Sequence, residues 1–443
     1  MPGIHYYDLR HVTGQVTHID IDNGVVESAG TSFFNKAVVR VLSKTGWGVL
    51  QIDNYSPCTG KKFDAILESA CRLARITQQK VILGDAPHGM LAVPPMKEDP
   101  RDVSIEEKSS MLSEIEMAAR HPLVVNRRAN LIEKIEHVRF TDSSENEYSY
   151  EMCRSGFNIL AVASRNGNIQ MGYEREHSIH GFNLRHQQST GKKAAELAVA
   201  LLDAGSAKSG KMRAVLDPEL AGVFAHEAVG HASEGDLVQE GNSVLKGKSG
   251  QKIGNDNLTI IDDPGIFEFG FDPVDAEGVA VCRTEIIKKG VINAFLHNRE
   301  TLSSVGNGTA GHARAMPGEP PLVRMSNTYI ETGDATQHEI FEECRDGIFL
   351  KGSRGGQVDP GRGIFQFNAE YGYLIENGEC TTMVRDVSLS GEILKTLHGI
   401  SLCGNIRTMS PGYCGKGGQS VPVSDGAPYI LLCDAVVGGS GVD

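Results

Sequence analysis

The stretch Asp217-Pro-Glu-Leu-Ala-Gly-Val-Phe-Ala-His226-Glu227-Ala-Val-Gly-His231 decides how this chain is read. Asp217 suits a helix N-cap, Pro218 the first helical position, and Glu219 puts an acid in the first turn. Leu220, Val223 and Phe224 recur at helical spacing and would bury one face, leaving His226 and Glu227 at the edge of a core. Two imidazoles beside a carboxylate are what a hydrolytic zinc site needs. Neutral histidines hold the ion, and the glutamate takes a proton from its water. The common helical form, H-E-x-x-H, places its histidines four apart, about 40° around an α-helix. Here they are five apart, about 140° on a regular helix. A π-bulge would return both rings to one side, and Gly230 is where it would be tolerated, at a cost of about 1 kcal/mol against Ala.

Two histidines leave a tetrahedral zinc short of a third protein ligand and a water. Three sources are visible downstream. Cys414, in Gly412-Tyr-Cys414-Gly-Lys416-Gly-Gly-Gln419, offers a thiolate in a glycine-rich setting that permits close backbone approach, and an inward Lys416 would lower its pKa. Glu342 or Glu343 lies in a segment similar to the second ligand motif of dipeptidyl-peptidase III, whose first motif is also H-E-x-x-G-H. The same residues, 337–345, also read as an ordinary amphipathic helix with solvated acids, and that reading is preferred. His312 and Cys403 sit in glycine-flanked loops with no spacing argument for either. Tyr413, His312 and Arg385 are candidates to assist a developing oxyanion. Glu234 and Asp236 would either orient a ligand histidine or cap the turn after the metal helix.

The totals bound the class. A chain of 443 residues has ample length for a large core in two or three domains. A net charge of −13 argues against a general nucleic-acid binder or an anionic-membrane binder, because either needs a basic surface. No apolar run approaches the roughly 20 residues of a membrane span. The first residues lack the basic and apolar regions of a signal peptide. The nine cysteines are an odd number without a C-x-x-C pair, so a reduced, cytoplasmic protein is expected. The glycine-rich Lys351–Gly363 lacks the G-K-[ST] ending of a phosphate loop and reads as a channel-lining loop.

Along the chain, His18–Ser28 alternates around Asn23-Gly24, a hairpin signal. Phe63–Ile76 has helical periodicity, and a proline-rich connection follows to Pro100. Ser104 caps an acidic helix reaching about Ala119, the run from Lys134 to Arg175 suggests an antiparallel sheet, and Ala194–Leu202 is a further helix. The expected fold is α+β: an N-terminal α/β region with an antiparallel sheet, then a mostly β C-terminal domain carrying the metal helix. The expected divisions are an N-terminal α+β subdomain at 1–95, a central helix-plus-sheet subdomain at 96–216, and a catalytic domain at 217–443.

Most of the chain, most densely 217–440, resembles the TldD/PmbA family of modulator-of-gyrase proteases. The resemblance rests on His226-Glu-Ala-Val-Gly-His231, on Glu234-Gly-Asp236, and on Pro321-Leu-Val-Arg-Met-Ser-Asn-Thr-Tyr329. It closes with Tyr413-Cys-Gly-Lys-Gly-Gly-Gln-Ser-Val-Pro-Val423, the family's C-G-K-x-G-Q-S-V-P pattern. It implies zinc on His226, His231 and Cys414, with Glu227 as general base. It also implies cleavage of small, unfolded or leader-type peptides in an enclosed cavity, by a catalytic subunit dimerised with a paralogue (TldE/PmbA) that lacks the metal motif, or with itself. The alternative from another class is a non-catalytic assembly subunit with structural zinc.

Overall fold

A computed structural model of the chain describes residues 3–77 and 79–439. Six antiparallel strands make the N-terminal sheet: β1 (Ile4–Asp22), β2 (Val25–Ser43), β3 (Gly46–Asp53), β4 (Val124–Asp142), β5 (Glu147–Arg165) and β6 (Asn168–Ser178). Asn23 and Gly24 have φ of 50° and 83°, the two positive values that a type I′ hairpin turn demands. The hairpin they close is far longer than the alternation around them, with 19 residues in each arm. The sheet order is β3-β2-β1-β4-β5-β6, so β1 pairs with β4 along Asp8–Asp22. Segments expected in separate subdomains at 1–95 and 96–216 therefore contribute neighbouring strands to one sheet.

Three helices cover one face of this sheet. Leu67, Ala70 and Cys71 of α1 (Lys61–Thr77) pack on Val39 and Val41. Leu112 and Ile115 of α2 (Ile105–Ala118) pack with Ala194 and Ala198 of α3 (Gln188–Ala200) on Leu131, Ile159 and Ala161. Ser104 caps α2 through Glu107 N–H at 3.1 Å, as its sequence predicts. Strand alternation turns Ile132 and Tyr173 to the opposite face, 44% and 37% exposed. The proline-rich connection is a strap bound to the C-terminal half rather than a free linker. Gly84 N–H donates to Arg299 C=O (2.8 Å), Leu91 N–H to Pro273 C=O (2.8 Å), and Pro87 C=O accepts from Ala280 N–H (2.9 Å).

Two sheets frame the C-terminal half. The larger, ten-stranded sheet contains β7 (Gly210–Leu216); the other, six-stranded, ends in a hairpin of β8 (Thr408–Lys416) and β9 (Gln419–Ala427). Between them runs α4 (Pro218–Phe224), entered directly from β7. Asp217 ties the junction, accepting Leu220 N–H at 2.9 Å on one oxygen and Gly352 N–H at 3.1 Å on the other. The expectation that α4 buries one stripe is exceeded. Leu220, Ala221 and Phe224 are fully buried among Leu216, Ile348, Phe365, Val421 and Val423, because both flanks meet a sheet. Glu219 and Val223 remain at an open cleft.

Close approach of α4 to β9 depends on Gly222. A Cβ there would stand 2.8 Å from Gly426 N and 2.9 Å from the Asp425 carbonyl carbon, backbone atoms with no room to retreat. Helix propensity alone predicts that Gly222→Ala gains about 1 kcal/mol. The contact reverses the sign: a net loss of about 1–3 kcal/mol is expected, read as a fall in the denaturant midpoint at unchanged m.

Candidate metal centre

The helix does not end at Phe224. It widens into a π-turn over Ala225–Gly230, closed by a bond from His231 N–H to His226 C=O, and finishes as a short 3₁₀ turn at His231–Ser233. An i→i+5 bond makes five residues roughly one turn, so histidines that would diverge on an α-helix share one side. Their rings stand 5.3 Å apart at 89°. Gly230 earns its place for a reason different from the one its sequence suggests. Its φ of −56° is open to any residue, whereas a Cβ would lie 1.9 Å from Met325 Sδ. Packing excludes the side chain.

Cys414 comes from β8, where it pairs with Val421 of β9 across a turn of Gly417 and Gly418, φ 57° and 77°. Alternation turns Cys414 into the core, 4% exposed, and Tyr413 outward, 55% exposed. His226, His231 and Cys414 each bring a donor atom within 4.8 Å of the others, and no other group of three or more such side chains does so among the described residues. Cys414 Sγ stands 3.4 Å from His231 Nε2. Tetrahedral zinc, with bonds of about 2.0 Å to nitrogen and 2.3 Å to sulfur, separates such a pair by about 3.5 Å. The donor set fits zinc in kind and spacing.

Carboxylates stand behind both rings. His231 Nδ1–H donates to Glu234 at 3.1 Å, which settles Glu234 as the residue that orients a histidine. His226 Nδ1 lies 2.7 Å from Asp425 Oδ1, close enough for an ion pair but out of line for a hydrogen bond. Sequence alone does not single out Asp425; its signal is the one charged side chain in β9. Lys416 does not face the thiol. Its ammonium donates to Glu234 (3.0 Å), both oxygens of Asp236 (2.8 and 2.7 Å) and Val323 C=O (3.0 Å). Asp236 thus anchors Lys416 and caps Leu237 N–H.

The three donors polarise one another. Burial pushes the Cys414 thiol up, but His226 and His231 outweigh it and hold the thiol at about 5. Burial lowers His231, and Glu234 with Cys414 overturns this to bring it to about 10; Asp425 and Cys414 likewise lift His226 well above its usual value. These shifts all favour a thiolate beside two imidazoliums in the metal-free trio. Zinc requires neutral imidazoles, so its uptake near neutral pH should release about two protons, both from histidine, and its affinity should climb with pH. An unperturbed set would release about one, from the thiol. Calorimetry in buffers of differing ionisation enthalpy counts the protons; a count near one contradicts this charge state.

Glu227 projects from the same π-turn, with an oxygen 3.9 Å from His231 Nε2 and a third of its side chain exposed. It opens on a cleft of about 440 Å³ between the two halves of the chain. Ile132 and Tyr173 of the N-terminal sheet face Val223 and Tyr413 across it. Arg175 of β6 crosses the cleft to Glu219 (2.8 Å) and Pro411 C=O (3.0 Å). The other sequence candidates lie elsewhere. Glu342 and Glu343 are on the helix Gln337–Cys344, where Glu342 meets the exposed His338 at 3.3 Å. Cys403 is a core residue with its thiol pushed up to about 12 by burial. His312 faces Asp262, and Arg385 bonds Ala204 C=O and Asp386. Tyr413 alone of the oxyanion candidates lines the cleft.

Comparison with known proteins gives a consistent picture. Residues 209–439 match the PmbA/TldA metallopeptidase C-terminal domain, 98–202 the central domain and 7–76 domain 1. A metalloprotease of Archaeoglobus fulgidus is 40% identical over 436 residues, 98% of this chain and 100% of that protein. The zinc metalloprotease TldD homolog of Saccharolobus solfataricus is 32% identical over 349 residues, 75% of this chain and 76% of that one. The crystal structure of TldE from Thermococcus kodakarensis shares the fold, with a TM-score of 0.81 at 17% identity, covering 98% of this chain and 97% of that chain.

Proposed function

This chain belongs to the PmbA/TldA metallopeptidase family, and from that premise we propose that it is a zinc-dependent peptidase acting on small or unfolded peptides, with Glu227 as general base. The observation that carries the reading is a cluster of three donors, no more, beside a half-open carboxylate at a cleft. A structural zinc fills all four positions with protein ligands, and a catalytic one keeps a position open. With three protein donors among the described residues, the cluster favours catalysis over the structural alternative.

His226, His231 and Cys414 would hold the ion, with a formal site charge of about +1. Zinc, when bound, supplies a Lewis acid that acidifies water and polarises the scissile carbonyl. Glu227 accepts the proton of the attacking water and delivers it to the leaving amine. Glu234 holds Nδ1 of His231 and Asp425 stands beside Nδ1 of His226, which would leave Nε2 of each ring for the ion. Ile132, Tyr173 and Tyr413 flank the peptide with apolar surface and narrow the water's access. The protein is proposed to work in the cytoplasm, paired with a TldE-like paralogue or a second copy of itself, without nucleic acid. No helix among the described residues is long and apolar enough to cross a membrane.

Assay of the zinc-loaded full chain, alone and with a TldE-like partner, on unfolded peptides tests the reading. Cleavage should disappear with a chelator and return on adding zinc. Zinc at one equivalent with no cleavage in either assembly supports the structural role instead.

A further inference from the structure

Away from the metal, a second cluster joins a thiol to a buried imidazole and carboxylate. Cys282, partly exposed, stands 2.9 Å from Thr309 Oγ1 and 3.7 Å from Thr284 Oγ1. Thr284 Oγ1 in turn lies 2.8 Å from Nε2 of His312, so the hydroxyl stands between the sulfur and the ring. His312 is 1% exposed, and its Nδ1 faces Asp262 at 3.2 Å without an aligned hydrogen bond. Asp262 is itself fully buried and fixed by Ser326 N–H (2.8 Å), Ser326 Oγ–H (2.7 Å) and Thr328 Oγ1–H (2.8 Å). No step of peptide hydrolysis uses these groups, and a carboxylate as deeply buried as Asp262 is costly unless hydrogen bonds or an opposite charge compensate it.

We propose that Cys282 is a thiol-modification site, a nucleophilic sulfur activated by His312 and Asp262 that forms mixed disulfides with low-molecular-weight disulfides. The Cys282 thiolate attacks one sulfur of the disulfide; a new S–S bond forms as the old one breaks, and the departing thiolate leaves with the electron pair. Cys282 is oxidised, the departing sulfur is reduced, and the proton held by His312 passes to it. Burial raises the Cys282 thiol, and the hydrogen bond and charge of His312 overcome this and bring it to about 7. His312 and, behind it, Asp262 are the titratable groups facing the sulfur; the neighbouring Arg283 is taken up by Glu285 at 3.0 Å. Cys414 is likewise set beside histidine, but within the metal cluster. Cys153, Cys344 and Cys403 are buried with thiols raised to about 11 or 12, and Cys380 is exposed but raised by burial of its sulfur. The exposed Cys433 serves as the comparison.

The test labels the zinc-loaded full chain with limiting dithiodipyridine near pH 6.5 and maps the modified peptides. Cys282 should react roughly tenfold faster than the more exposed Cys380 and Cys433, since at that pH a larger share of it is thiolate than of an ordinary thiol. Its rate should be half-maximal near pH 7 and move up to the ordinary thiol range in His312→Gln. Should that variant not fold, the profile of the unaltered protein decides. Labelling of Cys380 or Cys433 ahead of Cys282, or a midpoint near that of a free thiol, about 8.5, overturns the proposal.

Discussion

Glu227→Gln should keep its full complement of zinc and lose peptide cleavage by roughly 10²–10⁴-fold. Glutamine has the volume and shape of glutamate, and Glu227 is not one of the three clustered donors, so the ion's grip does not change. What disappears is the acceptor for the proton of the attacking water. Its position favours that role: on the same π-turn as both histidines, 3.9 Å from His231 Nε2, with part of its side chain open to the cleft. Zinc content by elemental analysis and cleavage of an unfolded peptide are read on the same preparation. A variant that cleaves at the unaltered rate removes Glu227 from the mechanism; one that loses zinc makes it a structural support.

The sequence carries the local half of this site and conceals the other half for physical reasons. Helix entry at Asp217 is legible because capping is a contact over three residues. The π-turn is implied by histidines five apart, since one ion can reach both in no regular α-helix. The Asn23-Gly24 turn is legible for the same local reason. Pairing of β1 with β4 is not, because nothing in either strand names a partner more than 100 residues away. Asp425 escapes notice because its meaning lies in which ring β9 places before it. Gly222 and Gly230 illustrate the limit most directly. Each is explained by an atom of a distant segment, Gly426 N and Met325 Sδ, that no local pattern announces. The proline-rich run reads from composition as a connection, yet the strap's hydrogen bonds to the C-terminal half are long-range and invisible in composition.

Cys414→Ala should weaken zinc binding far more than Glu234→Gln, and the order of the two matters more than either value. Glu234 acts through His231, holding Nδ1–H at 3.1 Å. Glutamine still offers an oxygen there, and Lys416 keeps both oxygens of Asp236, so a loss of roughly 10–100-fold is expected. Removing the thiolate takes away a donor itself and leaves two imidazoles for a tetrahedral ion. It also strips the metal-free protein of a negative charge beside both rings. Both imidazoles should then titrate lower than in the unaltered protein, because Cys414 is among the groups that raise each of them. The two signatures are separable: competition against a chelator reads affinity, and histidine titration in the metal-free protein reads the charge. Zinc held as tightly by Cys414→Ala as by the unaltered chain would show that the sulfur is a neighbour of the ion and not its ligand, and the ligand set would have to be sought without β8.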